Sequence, residues 1–524
     1  MLVPVKPTSA RLLVGLTAAA LAAATTLSIG AADAAPAKKV RPVKAPPITV
    51  AVDFAAAQPQ ASMLGFLHSF SQDGPPQSRV APLRPALFRG HGKTTDTERV
   101  RTLGARYQLV LSDLWGYPRD NWQGRGAPYA DLPRWEKFVR RQAGEHRGEN
   151  VIWDIWNEPD SPSYWKGTHE QFFKTYTVAA KAIRSELGPG AMIGGPSLEQ
   201  WNPDYLKAFL DYCVTDPPTA PGSKPGPAPT PTPTAPTPPT APTFPTPTFG
   251  LPGAPVRQAA AAERASAEPT AEESTAPVSR CEVNVISWHE LSTSSDQIPE
   301  VADHLRAARE MFVDNPVYDA IGLSEVFINE NLGQRDQFQP GELLGQLHYL
   351  EQGGADAAAH ACWNESNGKA NCHNDSLDGL LTPGSQDPRA VWFAAKEYSD
   401  GVPTRVASTS SSPYLVSLAS REAPGPRRAQ VVLGRLTQQR VRNLSRVDVA
   451  VQLGAVSDLP FLAGRTAVRV EVQRIPATGE RALSGLEPVS DQRLAISNGS
   501  ASLTLPRFKL HDAYVLTLSK PRRH

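Results

Sequence analysis

Short apolar runs alternate with amphipathic stretches from residue 48 to about residue 402. The apolar runs have the length of buried strands, and the stretches between them repeat apolar positions at helical spacing. The strand-like runs are Ile48–Phe54, Pro85–Arg89, Tyr107–Ser112, Val151–Trp156, Ala191–Gly194, Val283–Trp288, Ala320–Val326 and Ala357–Trp363. The clearest helical stretches are Asp131–His146, Gln171–Leu187, Pro299–Phe312 and Pro340–Leu350.

This succession of eight strand–helix units predicts an α/β fold, a closed (β/α)8 TIM barrel at residues 36–402. A doubly wound open sheet is the alternative, but no glycine-rich phosphate-binding motif opens any of the helices. After Thr404 the pattern changes to short β-rich runs separated by Pro, Gly and Asn. That change predicts a C-terminal β-sandwich domain at residues 403–524.

One segment interrupts the alternation. Residues 214–280 are rich in Pro, Thr and Ala, a composition that cannot bury a core. The segment follows an amphipathic run, Pro203–Tyr212, and precedes the strand-like run Val283–Trp288. We therefore predict a disordered insertion within a barrel loop rather than a linker between domains.

The first 35 residues have the pattern of a signal peptide. Lys6 and Arg11 precede an apolar, uncharged run from Leu12 to Gly30, and small residues follow at Ala32-Asp33-Ala34. A membrane-anchoring helix is the alternative, because the run approaches spanning length. Its Ala, Gly and Thr content favours export instead, so we predict a secreted, extracellular protein without stable membrane insertion after signal cleavage.

The chain contains four cysteines, which we expect to pair because an exported protein meets oxidising conditions. Cys362 and Cys372 are close in sequence and would close a short loop. Cys213 and Cys281 lie at the two ends of the Pro-rich insertion and would clamp its base. A metal site is the alternative, but neither a CxxC pair nor clustered histidines accompanies the cysteines, so we predict two disulfides and no metal.

The charge balance bears on the choice of partner. The chain has 53 basic and 52 acidic residues, a formal net charge of +1. A nearly neutral chain lacks the broad positive field with which proteins bind nucleic acid or anionic membranes. We therefore predict no nucleic-acid partner.

The strongest chemical signal follows the fourth predicted strand, which ends in Trp156-Asn157-Glu158-Pro159. In a barrel of this kind the chemistry lies at the carboxyl ends of the strands. A glutamate walled by aromatic residues can have a raised pKa and act as an acid. Asn157 can donate a hydrogen bond to a sugar 2-hydroxyl. A helix-capping carboxylate is the structural alternative, and we predict that Glu158 is a catalytic acid/base.

A strand four that ends in Asn-Glu-Pro, together with a second glutamate at the end of strand seven, resembles clan A of the glycoside hydrolases, and the trailing β domain fits this resemblance. Within the clan the order of segments resembles family 39, which holds β-xylosidases and α-L-iduronidases. The resemblance implies a retaining glycosidase that uses two carboxylates and needs no cofactor or metal. The family's nucleophile ends strand seven, in a context that Ile321-Gly322-Leu323-Ser324-Glu325-Val326 resembles. Glu325 is therefore the predicted nucleophile, and Glu330, farther along, is its rival.

Further side chains at predicted strand ends are candidates for binding the sugar. Arg89 can pair with the nucleophile, and His289 can orient the nucleophile or contact the sugar. Trp363 and Trp115 can offer aromatic faces to the apolar face of a sugar ring. Each has a structural alternative, namely an ion pair, a core histidine or rim packing. Glu290, next to His289, stays unassigned.

These patterns together predict a secreted retaining glycosidase that hydrolyses O-glycosidic bonds in an oligo- or polysaccharide. A catalytically silent carbohydrate-binding protein on the same barrel is the alternative from another class, and a structural cell-surface protein is a third. The presence of two candidate carboxylates together with Asn157 favours the enzyme.

Overall fold

The structure is a computed structural model. It describes residues 46–58, 60–68, 70, 74–91, 97–112, 127–214, 279–292, 294–422, 425, 428–437 and 445–521. The predicted signal peptide and Trp115 lie outside these residues, as does the predicted insertion apart from its ends at 214 and 279–280. None of the helices in the described ranges is long and apolar enough to cross a membrane.

The first nine strands in the described part of the chain are β1 (Ile48–Ala57), β2 (Gly65–Phe66), β3 (Leu87–Gly90), β4 (Arg106–Leu111), β5 (Val151–Ile155), β6 (Met192–Gly194), β7 (Val285–Glu290), β8 (Glu325–Asn331) and β9 (Ala357–His360). Strands β2 to β9 pair in parallel in chain order, and β9 returns to β2 to close a barrel. The predicted fold class, a TIM barrel followed by a β domain, is confirmed.

Helices lie between the barrel strands and pack their apolar faces on the barrel. They are α1 (Gln77–Val80), α2 (Thr97–Thr102), α3 (Leu132–Glu145), α4 (His169–Leu187), α5 (Pro203–Val214), α6 (Val301–Ala308), α7 (Pro340–Gly353) and α8 (Ala390–Gly401). Capping residues define where they begin. The Asp131 side chain accepts from the backbone N–H of Arg134 at the start of α3, and Thr168 with Gln171 forms a capping box at the start of α4.

The barrel interior changes from apolar to polar toward the carboxyl ends of its strands. A separate buried cluster fills its middle and consists of Leu87, Ile152, Val285, Phe327, Ala357 and Ala359. Two residues farther along their strands, and therefore on the same inner face, come the buried Arg89, Asp154 and Ser287. The apolar layer stabilises the barrel, and the polar layer above it forms the floor of the carboxyl-end mouth.

The prediction that Ile48–Phe54 is the first barrel strand is wrong. Strand β1 belongs to the sheet of the β domain, where it pairs antiparallel with β10 (Arg405–Ser410) and parallel with β13 (Arg446–Gly454). Val50, Val52 and Phe54 are buried, while the residues between them are exposed. This alternation is typical of a strand with one solvent face, whereas a parallel barrel strand is covered on both faces.

The β domain was predicted as a β-sandwich; over the described residues it is one nine-stranded sheet around its own apolar core. Its remaining strands are β11 (Leu415–Ser420), β12 (Ala429–Arg435), β14 (Ala467–Ile475), β15 (Glu487–Ala495), β16 (Ala501–Lys509) and β17 (Ala513–Ser519). The strand order is β15-β14-β17-β12-β11-β10-β1-β13-β16, and the two edge strands contact each other, which encloses the core. Helix α7 packs closely on β12, because a Cβ on Gly341 would lie 2.3 Å from the carbonyl oxygen of Arg435.

Both predicted disulfides, Cys213–Cys281 and Cys362–Cys372, are present and confirm the pairing expected from the sequence. The first joins the end of α5 to the segment before β7. The second closes the loop that follows β9 at the carboxyl mouth of the barrel. The two bridges therefore close loops of very different length, with sequence separations of 68 and 10 residues.

Replacing Cys213 and Cys281 together by alanine is expected to lower the free energy of unfolding by roughly 4 kcal/mol, because the long loop gains freedom in the unfolded chain. The matched control, alanine at both Cys362 and Cys372, should cost roughly 3 kcal/mol, since its loop is shorter. Urea unfolding of both variants and the oxidised wild type measures the difference. A larger loss from the short loop would contradict this chain-entropy explanation.

Candidate active site

Glu158 lies three residues beyond the end of β5, at the carboxyl mouth of the barrel. Trp156 and Glu158 have positive φ angles of 77° and 48°, a region that bulky residues rarely occupy. The Trp156 ring makes edge-to-face contacts with Trp135 and Trp165, and the Glu158 backbone N–H donates to the Ser197 carbonyl at 2.8 Å. Packing thus holds a strained turn that points Glu158 into the mouth, as is common at functional sites.

The surroundings of Glu158 suit a general acid. The residue is 7% exposed. Burial raises the pKa of Glu158 to about 7, although the Arg89 charge and a hydrogen bond from Asn157 pull it downward. A carboxyl group with this pKa exchanges its proton readily near neutral pH, which general acid–base catalysis requires.

Glu325 lies at the opposite end of the barrel from its predicted position. It is the first residue of β8, and its carboxylate accepts from Arg106 Nη1 and Nη2 at 3.1 and 2.7 Å. The prediction that Glu325 emerges at the carboxyl mouth is wrong. Ala320 and Ile321, the first two residues of the predicted strand seven, belong instead to a 3₁₀ helix, Pro316–Ile321, which is followed by Gly322 with φ of 77°. The strand therefore begins at Glu325, near the end of the predicted run, rather than ending there.

The carboxylate that β8 brings to the mouth is Glu330. The pairing of β7 with β8 shifts register, so that Trp288 lies opposite Ile328 and His289 lies opposite Glu330. Asn329 is the extra residue of this bulge. Adjacent side chains in a regular strand point to opposite faces, but a bulge changes their aim. Asn329 and Glu330 accordingly both contact residues inside the barrel.

Glu158, His289 and Glu330 converge at the centre of the mouth, with one oxygen or nitrogen of each within 4.8 Å of the others. His289 Nδ1 is 2.9 Å from Glu158 Oε1, and its Nε2 is 3.8 Å from Glu330 Oε1. Within the described part of the chain, neither nitrogen has a partner with hydrogen-bonding geometry. Burial lowers the pKa of His289 to about 4, so the ring between the two carboxyl groups is neutral at neutral pH.

Arg89 connects the second carboxylate to the floor of the mouth. Its Nη1 donates to Glu330 Oε1 at 2.6 Å, its Nη2 to Asn157 Oδ1 at 2.7 Å and its Nε to Asp154 Oδ2 at 2.8 Å. Arg89 is 1% exposed and Asp154 is fully buried. Charge-assisted bonds of this kind fix geometry strongly. Arg89 therefore pairs with Glu330 rather than with Glu325, and it holds Asn157 beside Glu158.

A layer of polar side chains beneath Arg89 was missed at the sequence level. Ser197 donates to Asp154, and Asn329 Nδ2 donates to Ser197 Oγ at 2.7 Å and to Asp154 Oδ2 at 3.3 Å. The role of Asp154 could have been predicted from the sequence, because a carboxylate within an apolar strand is rarely buried without a partner. The role of Asn329 could not have been predicted in this way, since it depends on the bulge.

Part of the chain matches known proteins. Residues 134–218, which include Glu158, match the sequence profile of Glycosyl hydrolases family 39. Over 128 residues the chain is 31% identical to an α-1,4-L-rhamnosidase of Formosa agariphila, covering 20% of this chain and 26% of that protein. Over 104 residues it is 26% identical to a β-xylosidase of Caldicellulosiruptor saccharolyticus, covering 18% and 20%. This part of the chain is similar to family 39.

The resemblance to family 39 that the Asn-Glu-Pro segment predicted is thereby confirmed for this part of the chain. The matches to these curated relatives span about a quarter of their length or less. A solved GH39 enzyme from Xanthomonas axonopodis pv. citri shares the fold over most of its length. Its TM-score is 0.54 at 15% identity, with 91% of this chain and 98% of the other covered.

Three histidines that were not predicted lie at the rim of the barrel mouth. His68 and His91 follow the first two barrel strands, and His373 lies in the loop after β9. The His68 ring stacks on His91 at a centroid distance of 4.3 Å and lies 5.3 Å from His373. Burial lowers the pKa of all three, and Arg89 lowers it further for His68 and His91. Neutral imidazoles can both donate to and accept from sugar hydroxyls.

Some of the other residues predicted for the site lie around Glu158, and others lie apart from it. Asn157, Arg89 and His289 gather around Glu158, as described above. Glu290 lies apart from them and accepts from Trp288 Nε1 at 2.6 Å, with His304 Nδ1 at 2.9 Å. Trp363 lines a neighbouring cavity. The sugar-binding roles of these residues stay predictions.

Glu158, His289 and Glu330 are also the described residues whose spacing would allow them to hold a metal ion together. Arg89 already donates to Glu330, and its positive charge opposes a divalent cation at the same place. The arrangement fits proton transfer and nucleophilic attack by two carboxyl groups better than metal binding.

Proposed function

We propose that the chain hydrolyses O-glycosidic bonds with retention of anomeric configuration, with Glu330 as nucleophile and Glu158 as acid/base. One observation carries the proposal: at the barrel mouth, an oxygen of Glu158 and an oxygen of Glu330 lie no more than 4.8 Å apart. Retaining glycosidases hold their carboxyl groups about 5–5.5 Å apart, whereas inverting enzymes need about 6.5–9.5 Å to admit water. The spacing supports direct attack by Glu330.

The contacts of the two carboxyl groups support these roles. Arg89 donates to Glu330 and holds its side chain in the mouth. Glu330 attacks the anomeric carbon while Glu158 gives its proton to the departing oxygen. The glycosidic bond breaks as the bond to Glu330 forms. In the second step Glu158 takes a proton from water, the water oxygen attacks the same carbon, and Glu330 leaves. His289, which is neutral, spaces the two carboxyl groups without adding charge.

The sugar is proposed from the relatives and the rim together. The two curated relatives are a rhamnosidase and a β-xylosidase, and the three rim histidines are uncharged hydrogen-bonding groups. We infer that the enzyme cleaves the glycoside of a neutral pyranose. β-Xylosides and α-L-rhamnosides are the first candidate substrates, ahead of the iduronides of the predicted family. The two disulfides support a place of action outside the cell.

A screen of aryl glycosides with anomeric NMR tests this proposal. The purified chain should cleave the aryl β-D-xyloside or the aryl α-L-rhamnoside, and the first free sugar should carry the anomeric configuration of the substrate. Product of the opposite configuration would remove Glu330 from the nucleophile role. Binding of xylan or rhamnose oligosaccharides without cleavage of any aryl glycoside would favour the silent carbohydrate-binding alternative.

A further inference from the structure

We infer that a second cavity beside the catalytic centre binds a further, uncleaved sugar unit of an oligosaccharide substrate. The cavity has a volume of about 620 Å³, within the usual range for small-molecule sites. Its walls come from the loops after β7, β8 and β9 and from Glu480 of the β domain. The inference rests on the proposed function, because it extends the same substrate chain.

The cavity is lined by the loop that directly follows the strand of the proposed nucleophile. Gly333, in its wall, is only three residues after Glu330, so the two Cα atoms are at most about 11 Å apart. Trp363 Nε1 donates to the Leu332 carbonyl at 3.0 Å, which fixes the loop after β9 against the loop after β8. A sugar chain with one unit at Glu330 can therefore extend into this cavity.

The lining combines aromatic rings with amides. Trp363 and Phe338 are partly exposed in the wall, and the side chains of Gln334 and Asn364 are exposed at its rim. Gln334 Nε2 and Gln337 Nε2 donate to the backbone carbonyl of Asn364 at 3.2 and 3.3 Å, and these bonds order this side of the cavity. Aromatic rings match the C–H face of a sugar, and amides can bond to its hydroxyls in both directions.

The two carboxylates of the cavity are already occupied. Glu480 accepts from the Ser366 backbone N–H and hydroxyl at 2.6 and 2.7 Å, and Glu365 pairs with Arg389 at 3.0 Å. Because these charges are engaged, the cavity does not offer a free acidic group for a cation. The bonds between Ser366 and Glu480 attach the β-domain loop to the barrel, so the second domain completes the wall.

Titration calorimetry with the Glu330→Gln variant tests the inference on a chain that binds without turnover. The probes are xylo-oligosaccharides and rhamno-oligosaccharides of two to six units. In the series whose aryl glycoside the wild type cleaves, affinity should rise about tenfold from the shortest to the longest probe. Adding Gln334→Ala and Asn364→Ala should abolish most of this gain, because both amides are lost from the rim.

Gln352→Ala provides the matched control, since it removes an exposed amide near the opposite end of α7 and should leave the length dependence intact. Affinity that does not change with length, or a gain that survives loss of both rim amides, would overturn the inference. These results would leave retention and the Glu330 role standing. Conversely, a length-dependent gain sensitive to the rim amides, in a chain that inverts configuration, would retain the cavity and reject the proposed mechanism.

Discussion

Replacing Glu330 by glutamine is expected to lower kcat/KM on the order of 10⁴-fold, about 5 kcal/mol of transition-state stabilisation, for any glycoside that the enzyme cleaves. Glutamine keeps the size of the side chain and can still accept from Arg89, so the mouth should keep its shape. It cannot form the bond to the anomeric carbon. Steady-state kinetics on the best aryl glycoside measure the loss.

Glu325→Gln is the matched control, because it makes the same chemical change on the same strand at the other end of the barrel. The partly exposed pair of Glu325 with Arg106 has side chains 25% and 33% exposed, so its loss should cost less than about 1 kcal/mol of stability. Activity should stay within about twofold of wild type. A large loss of activity in Glu325→Gln with full activity in Glu330→Gln would reverse the assignment.

A covalent label identifies the nucleophile independently. A 2-fluoro sugar with a good leaving group slows the oxocarbenium-like transition states but lets the first step proceed, so the glycosyl group accumulates on the enzyme. Peptide mass mapping should find the added mass on Glu330. Label on Glu325 or on Glu290 would contradict the geometry of the mouth.

The two carboxylates differ in how far sequence alone could predict them. Glu158 sits in a local motif, because the strand, the turn and the proline that follows are contiguous in the chain. The prediction of strand seven failed because the apolar run Ala320–Val326 joins the end of a 3₁₀ helix to the start of a strand. Gly322, with its left-handed φ, marks the boundary, since helices commonly end at such a residue. That glycine was a usable signal.

Other features depend on contacts that no local pattern contains. The bulge that aims both Asn329 and Glu330 inward is set by pairing with β7, and the three rim histidines meet from loops far apart in the chain. The place of β1 in the second sheet could have been predicted more easily from the sequence. In the sequence, the large apolar residues Val50, Val52 and Phe54 alternate with Ala51 and Asp53, which favours a half-exposed strand over one buried inside a barrel wall.

Replacing Glu158 by glutamine should lower kcat/KM about 10³-fold for substrates with poor leaving groups, such as xylobiose, because the departing oxygen then receives no proton. For an activated aryl glycoside the first step should slow less than about tenfold, since a good leaving group needs little protonation. Rapid-mixing measurement of the first turnover separates that step from the second. Equal losses on both substrate classes would contradict the acid role.

The pH dependence of kcat/KM tests the acid role of Glu158 independently. Burial raises the pKa of Glu158 to about 7, so the carboxyl group is protonated below that pH and ionised above it. Only the protonated form can donate, and the wild-type kcat/KM on poor leaving groups should therefore fall about tenfold per pH unit above roughly pH 7. Glu158→Gln should lose this alkaline limb. Glu290→Gln, which changes a carboxylate paired with His304 outside the centre, should keep it. A limb that persists in Glu158→Gln would assign the titrating proton to another group.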